Sequence, residues 1–440
     1  MNPRLSRTLL AAALLAALTP ARAEDLLDIY RLAQQHDLTL AQARAIHQAN
    51  LERAAQGTGQ VLPTLTFNAS HYAVNLDIRQ PTAITNDYNS DAYNLQLIQP
   101  LYRKTNFAAY AQGKQIASQA EAELAVAEGE LLFRAAQAYF DVLAAEDTLG
   151  FARTEKAAIA GQLKLAERNF AVGNASVVDV HEARSRYDQA VAQEVGAEND
   201  LHARREALAV LVNARPGSLA RLGPGFMLKA PEPDDMEAWN RTGQEKGPLI
   251  QMQERALKVA EEEIEKNRGG HYPALDLVAS HSYNKNGSVF SPATYEYTTN
   301  LVGAQLTVPL YSGGITQSKV REAEARRDQA RAALDSARRT TARLARESFV
   351  AVTTGMRRVR ALEQARTSSR KALESTLIGY ESGVRTGVDV LNAQRELYRT
   401  ERDLSQARYA YLLSRLRLKL AAGTLSEVDL AEINGWLTGN

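Results

Sequence analysis

The chain has 440 residues, 45% hydrophobic and 23% charged, and its 52 Lys and Arg against 51 Asp and Glu leave a formal net charge of +1. That balance excludes the basic excess of a nucleic-acid binder and the low-hydrophobicity, high-charge profile of a disordered chain. The absence of cysteine excludes disulfides, thiol catalysis and cysteine-bound metals.

At the N-terminus, Arg4 and Arg7 precede an apolar run over residues 9–18, and Ala21-Arg22-Ala23 follows with small residues at the positions a signal peptidase reads. The run is about ten residues, short of the ~20 that cross a bilayer. Residues 1–23 therefore read as a signal peptide, with Glu24 the first mature residue. No later stretch of 18 apolar residues occurs, so the exported chain is either soluble or a membrane protein of the β-barrel kind.

The rest is written twice. VLPTL at 61–65 resembles HYPAL at 271–275, QLIQPLY at 96–102 resembles QLTVPLY at 305–311, and FAVGNASVVDVHEA at 170–183 resembles YESGVRTGVDVLNA at 380–393. The spacing is 209 or 210 residues each time, which points to two copies of one unit. The first copy covers 24–215 and the second 249–421. A Pro-rich linker or equatorial segment, 216–248, joins them, and a C-terminal equatorial segment, 422–440, closes the chain; Trp239 and Trp436 in these are expected to pack an equatorial collar. Each copy reads as helix, two strands, long helix, return helix.

The strands fall in two hairpins, about 63–102 and 273–311. Apolar and polar residues alternate over 64–72, 93–97 and 275–283, and again over 302–311, where Val302, Ala304, Leu306, Val308 and Leu310 share one face. Such alternation over about ten residues, with tyrosines at the strand ends, fits outer-membrane strands. A soluble sheet with one wet face alternates in the same way. The connections near 77–90 and 284–300 are rich in Asn, Thr and Ser and read as outward loops. Four strands do not close a barrel, and an open edge is forbidden in lipid. If these strands span a membrane, several chains share one barrel, and two, three or four copies give even strand totals.

No proline occurs between Pro100 and Pro216 or after Pro309, and both stretches are rich in helix formers. Residues 103–170 predict a helix of ~100 Å at 1.5 Å per residue, with a counterpart over about 314–380. In the second return helix Val390, Leu397, Leu404, Tyr411 and Leu418 recur every seven residues, with Ala393, Thr400, Ala407, Ser414 and Ala421 three places on: a coiled-coil seam with small residues at alternate core positions. The first return helix carries a weaker version at Val180, Tyr187, Glu194, Leu201 and Leu208. Residues 104–206 hold 11 basic and 16 acidic residues, and 319–419 hold 23 and 12, so unlike charges would meet if the two copies alternate around a ring.

No HExxH, GxSxG or GKS/T pattern is present, and the histidines lack ligand spacing. His181-Glu182 is a lone pair on a helix. No catalytic residue, metal or cofactor is expected. The helix pairs turn at Gly173 and Gly383. Ser176-x-x-Asp179 and Thr386-x-x-Asp389 beside those glycines read as capping boxes that start the return helices. Either Asp could also stand in a ring of charges that selects ions.

These motifs together, QPLYRKTN and VPLYSGG after the hairpins, the paired turns NFAVGNASVVDVHEARSRYDQA and GYESGVRTGVDVLNAQRELY, and the closing AAGTLSEVDL, resemble the TolC-type outer-membrane channel proteins of Gram-negative bacteria over essentially the whole mature chain. The resemblance implies an α+β membrane protein: a homotrimer whose long antiparallel coiled-coil helices form an α-helical barrel across the periplasm, joined to a shared transmembrane β-barrel of 12 strands, four per chain. It implies an exit duct for a tripartite efflux pump or a type I secretion system. The partners are then a periplasmic adaptor protein, an inner-membrane transporter of the ABC or RND type, and outer-membrane lipid, with no nucleic acid. By the same resemblance Asp389 forms an acidic ring at the periplasmic entrance, and Tyr380 and Arg385 lock the gate by bonding to Asp179. Two departures stand out. Asn392 replaces a second acidic residue one turn after Asp389, and Val178 replaces a hydroxyl before Asp179, so one acidic ring reinforced by amides and a lock of fewer bonds are expected. The competing class is a periplasmic coiled-coil adaptor or scaffold without a pore.

Overall fold

The computed structural model describes residues 23–81, 83–287 and 294–438. The expected signal peptide, Ala23 apart, lies outside them. In chain order the elements are α1 (Leu26–His36), α2 (Leu38–Gly59), β1 (Thr64–Ile78), β2 (Ile84–Tyr102), α3 (Lys104–Ala171), α4 (Val177–Val212), β3 (Arg221–Leu222), α5 (Met236–Lys246), α6 (Pro248–Arg268), β4 (Ala274–Gly287), β5 (Thr294–Thr307), α7 (Ile315–Glu381), α8 (Gly387–Ala421), α9 (Glu427–Asn434) and β6 (Leu437–Thr438). Helices, two strands, a long helix and a return helix thus follow one another twice. No helix among the described residues is long and apolar enough to cross a membrane.

The chain forms two compact units. The first comprises, of the described residues, 23–43, 124–248 and 338–438. Its core is built from Leu26 and Ile29 of α1, Leu131, Tyr139, Phe140 and Leu143 of α3, Leu208 of α4, and Tyr411, Leu412 and Leu416 of α8, all under 2% exposed. Each such apolar side chain is worth about 2 kcal/mol of transfer free energy. The buried hydroxyls are satisfied: Tyr139 donates to the Ala220 carbonyl at 2.6 Å and Tyr411 to the Lys229 carbonyl at 2.6 Å. Asp37, between α1 and α2, is 7% exposed; it accepts from the Leu40 amide at 2.7 Å and from Arg134 at 3.0 Å, so one carboxylate starts α2 and ties it to α3. The seven-residue series of α8, Val390, Leu397, Leu404, Tyr411 and Leu418, is buried throughout.

Residues 216–248, expected as a linker or equatorial segment, are packed. β3 pairs with β6 at the chain's end, Arg221 opposite Thr438. Trp239 donates to the Pro233 carbonyl at 2.7 Å, and the rings of Phe226 and Trp436 meet edge to face with centroids 5.9 Å apart.

The second unit comprises 44–123 and 249–337. Gly57 and Gly113 allow α2 and α3 to touch backbone to backbone: a Cβ on Gly57 would lie 3.0 Å from the Ala109 carbonyl oxygen, and one on Gly113 3.0 Å from that of Arg53. The unit carries a four-stranded antiparallel sheet in the order β1-β2-β4-β5, open at β1 and at β5. One chain therefore holds no closed barrel among its described residues.

The strands differ from expectation at their ends. The polar segments read as loops are mostly strand: β1 continues to Ile78 and β2 begins at Ile84, paired residue for residue down to Ile78 opposite Ile84. Asn, Ser and Thr have low or mixed strand propensity, but strand formation follows cross-strand partners more than intrinsic preference. Here Asn75 donates to Asp87 at 2.5 Å, and Lys285 meets Glu296 at 2.8 Å. At the other end β5 stops at Thr307, short of 308–311.

Candidate functional site

The two turns at the ends of the long helices share one construction. α3 ends with the Asn174 amide donating to the Asn169 carbonyl at 2.8 Å, and α7 with the Val384 amide donating to the Gly379 carbonyl at 2.9 Å. Between them Gly173 and Gly383 take φ of 82° and 74°, the left-handed conformation that ends a helix and costs a residue with a Cβ free energy. Ser176 and Thr386 then cap α4 and α8. The Ser176 amide donates to Asp179 at 2.9 Å and the Thr386 amide to Asp389 at 2.9 Å, closing a capping box in each turn.

The two boxes are not equal. Asp389 also accepts from the Thr386 hydroxyl at 2.9 Å. The Thr386 amide, then its hydroxyl, and then the nearby Arg385 charge hold the Asp389 carboxyl below its ordinary range, so it is anionic at neutral pH. Asn392 lies three residues further along α8 and is exposed.

Tyr380 and Arg385 are drawn into the same turn. The Arg385 stem folds over Gly379, where an added Cβ would come within 2.7 Å of its Cγ. The Tyr380 ring lies beside Gly387, with Cε2 3.7 Å from where a Cβ would stand. Among the described residues no hydrogen bond or ion pair joins Tyr380 or Arg385 to Asp179 within one chain; the bond of Asp179 is to its own cap. Gly379 escaped the sequence reading. A glycine in the last turn of a long helix, one residue before the tyrosine, was the available signal.

Polar pairs run along the helices below the turns. Arg153 meets Glu198 at 2.8 Å and Glu194 at 3.3 Å, and Lys156 also pairs with Glu194. This explains how a Glu occupies a seam position of α4. Arg408 of α8 meets Glu363 of α7 at 2.8 Å. Two residues beyond Asp389, Leu391 is buried against Ile159 and Ala190, so the start of α8 packs on the first helix pair. Asp147 accepts from the Tyr409 hydroxyl at 2.9 Å and from Ser405. No group of three or more His, Asp or Glu side chains among the described residues could hold a metal ion. The arrangement offers turns, charges and packed seams.

Comparison with known proteins gives this architecture its context. The family profile for outer membrane efflux proteins matches residues 29–214 and 243–424. The chain belongs to that family. It is 34% identical to the outer membrane protein TolC of Vibrio cholerae, over 94% of each chain. It is 33% identical to the alkaline protease secretion protein AprF of Pseudomonas aeruginosa, over 97% of this chain and 90% of that one. Its fold matches the crystal structure of the Campylobacter jejuni CmeC outer membrane channel with a TM-score of 0.80 at 18% identity, covering 94% of this chain and 90% of that one. The efflux protein is therefore an outer-membrane channel reaching into the periplasm, and not an enzyme. The pore-free scaffold is set aside.

Proposed function

We propose that this efflux protein works as a homotrimer. Each chain lends four strands to one shared transmembrane barrel, and its two helix pairs, one from each copy of an internal repeat, build a periplasmic tunnel. The observation that carries this reading is the sheet open at both edges. Among the described residues β1 and β5 each lack a neighbour on one side, while Leu65, Phe67, Val302 and Leu306 are 64–78% exposed on one face. In lipid each unpaired backbone group costs several kcal/mol, so β5 of one copy must meet β1 of the next.

The duct serves a tripartite efflux pump or a type I secretion system. A periplasmic adaptor and an inner-membrane transporter of the ABC or RND type dock at its inner end. Likeness to a protease secretion protein over nearly the full chain supports protein cargo, and likeness to efflux channels supports small molecules. The inner end closes at the turns around Gly173 and Gly383. Asp389, three to the ring in a trimer and flanked by Asn392, selects cations. Tyr380 and Arg385 hold the second turn shut against Asp179 of the assembled ring. Docking of the partners shifts the gate by binding the open state more tightly.

Reconstitution of the purified protein in planar bilayers tests this. Discrete, cation-selective conductance steps are expected. A preparation that inserts as a stable oligomer yet passes no ions would overturn the duct.

A further inference from the structure

The sheet changes its apolar side part-way along its length. Strand register fixes which residues share a face. On one face Leu275 with Leu306, Leu277 with Ala304, Leu65 with Leu97, Ala279 and Val302, Phe67 with Leu95, and Tyr93 with Tyr283 follow in successive rows, interrupted by Gln99, by the bonded pair His281 and Asn300, and by Thr298. Those five rows span ~27 Å of strand, or ~20 Å of height at a tilt of about 40°, close to the ~25 Å apolar band of an outer-membrane barrel. The next row on that face is His71, Asp91, Lys285 and Glu296, ionisable in all four strands. His71 lies 2.5 Å from Asp91 and Lys285 2.8 Å from Glu296. Beyond it the same face continues polar, with Asn75 bonded to Asp87.

The opposite face runs the other way. Across the apolar band it carries Thr64, then Thr66, Gln96 and Ser280, then Asn68, Asn94 and Ser282, with Ile98, Val278 and Leu301 as exceptions. Past the level of the ionic row it turns largely apolar and aromatic: Tyr72, Val74, Leu76 and Tyr88 on the first hairpin and Tyr295 on the second, with Ser90, Asn86 and Asn286 between them; Tyr297 lies one row before the ionic one. Tyr72, Tyr295 and Tyr297 are 51–61% exposed in the single chain.

We propose that the ionic row marks where the strands leave the lipid, and that beyond it they form an extramembrane collar whose inner wall is apolar and narrows the exit. This rests on the shared-barrel reading. The face that lines the water-filled bore within the membrane is the one that becomes apolar outside it. What it faces there is the same five residues of the other copies around the axis. An apolar ring of this kind passes water and ions only when wide or occupied, so it resists flow by dewetting. The outer mouth is then a second constriction, built from side chains rather than charges and distinct from the turns at the inner end.

The cysteine-free chain makes the test direct. Single variants Asn75→Cys, Asp77→Cys, Val74→Cys, Leu76→Cys and Phe67→Cys are expressed in whole cells, and those that form the outer-membrane oligomer are treated from outside with a small charged maleimide or a polymer-linked one. The small reagent is expected to label positions 75 and 77 about tenfold faster than 74 and 76, the polymer reagent to label only 75 and 77, and Phe67→Cys to be protected by lipid from both. Equal labelling of 74 and 75 by the polymer reagent would overturn the collar while leaving the barrel intact. Failure of 75 and 77 to label would place the distal strands elsewhere and also overturn it. Free labelling of Phe67→Cys would instead remove the barrel reading on which the collar rests.

Discussion

Arg103, the residue after β2, grips Asp276 near the start of β4 at two points, Nε 2.7 Å from Oδ1 and Nη2 bonded to Oδ2. The aspartate side chain is 6% exposed and the arginine 41%. This planar two-point bond joins the strands of the two hairpins where the sheet passes into the helices. Removing the cation strands a buried carboxylate. Arg103→Leu is expected to destabilise the sheet by about 2–3 kcal/mol, and Arg103→Lys by less, because the charge stays but the fork is lost. Heating the oligomer in detergent and following its dissociation on a gel measures both.

Asp389 is at once a helix cap and a charge, and two substitutions separate the roles. Asp389→Asn can still accept from the Thr386 amide but loses the charge, whereas Asp389→Ala loses both. Block of the channel by multivalent cations is expected to weaken in both, by roughly tenfold in blocking concentration, with helix stability lowered only in the alanine variant. Conductance in planar bilayers with added trivalent cation reads the block. Unchanged block in the asparagine variant would remove Asp389 from the gate.

The same carboxyl sets a pH dependence. Its pKa in the fold is below the ordinary 3.8 because the Thr386 amide and hydroxyl bond the charged form. A group depressed in this way contributes its charge and its capping stability above its unfolded value and loses them as pH falls through the lower, folded value. Cation block is therefore expected to persist at about pH 5 and to fade only in stronger acid. Thr386→Val removes the hydroxyl bond, so its fade should begin at higher pH. Titrating block against pH for the two proteins checks the order.

Tyr380 and Arg385 fold back over Gly387 and Gly379 of their own turn. Arg385→Ser together with Tyr380→Phe is expected to raise resting conductance severalfold with little change in oligomer stability. Gly379→Ala, which displaces the Arg385 stem, should raise it in the same direction although neither Tyr380 nor Arg385 is substituted. Equal conductance in all three proteins would mean the turn is held by other contacts.

The helices were legible because their signals are local. Proline-free runs and a seven-residue apolar period need no tertiary partner, and Val390 to Leu418 are buried at the spacing the sequence shows. The capping boxes were legible for the same reason. The distal strands were not, since polar hairpin ends become strand only through partners such as Asp87 for Asn75, and pairing over that distance is invisible in one segment. Arg103 was equally hidden: the position that lines up with it in the second half is Ser312, so the likeness of the two halves gave no hint of an ion pair. That Trp239 and Trp436 pack was legible from two large aromatics outside the strands, but their partners Pro233 and Phe226 were not, because proline and glycine signal turns and not what those turns rest upon.

The claim beneath all of this is that one chain's sheet is completed only by copies of itself. Native mass spectrometry of the protein extracted from the outer membrane in mild detergent tests it most directly. A single species of three chain masses, intact in detergent and lost together with sheet content on heating, is the predicted result. A folded monomer that keeps its four strands and stays in solution without detergent or lipid would contradict it.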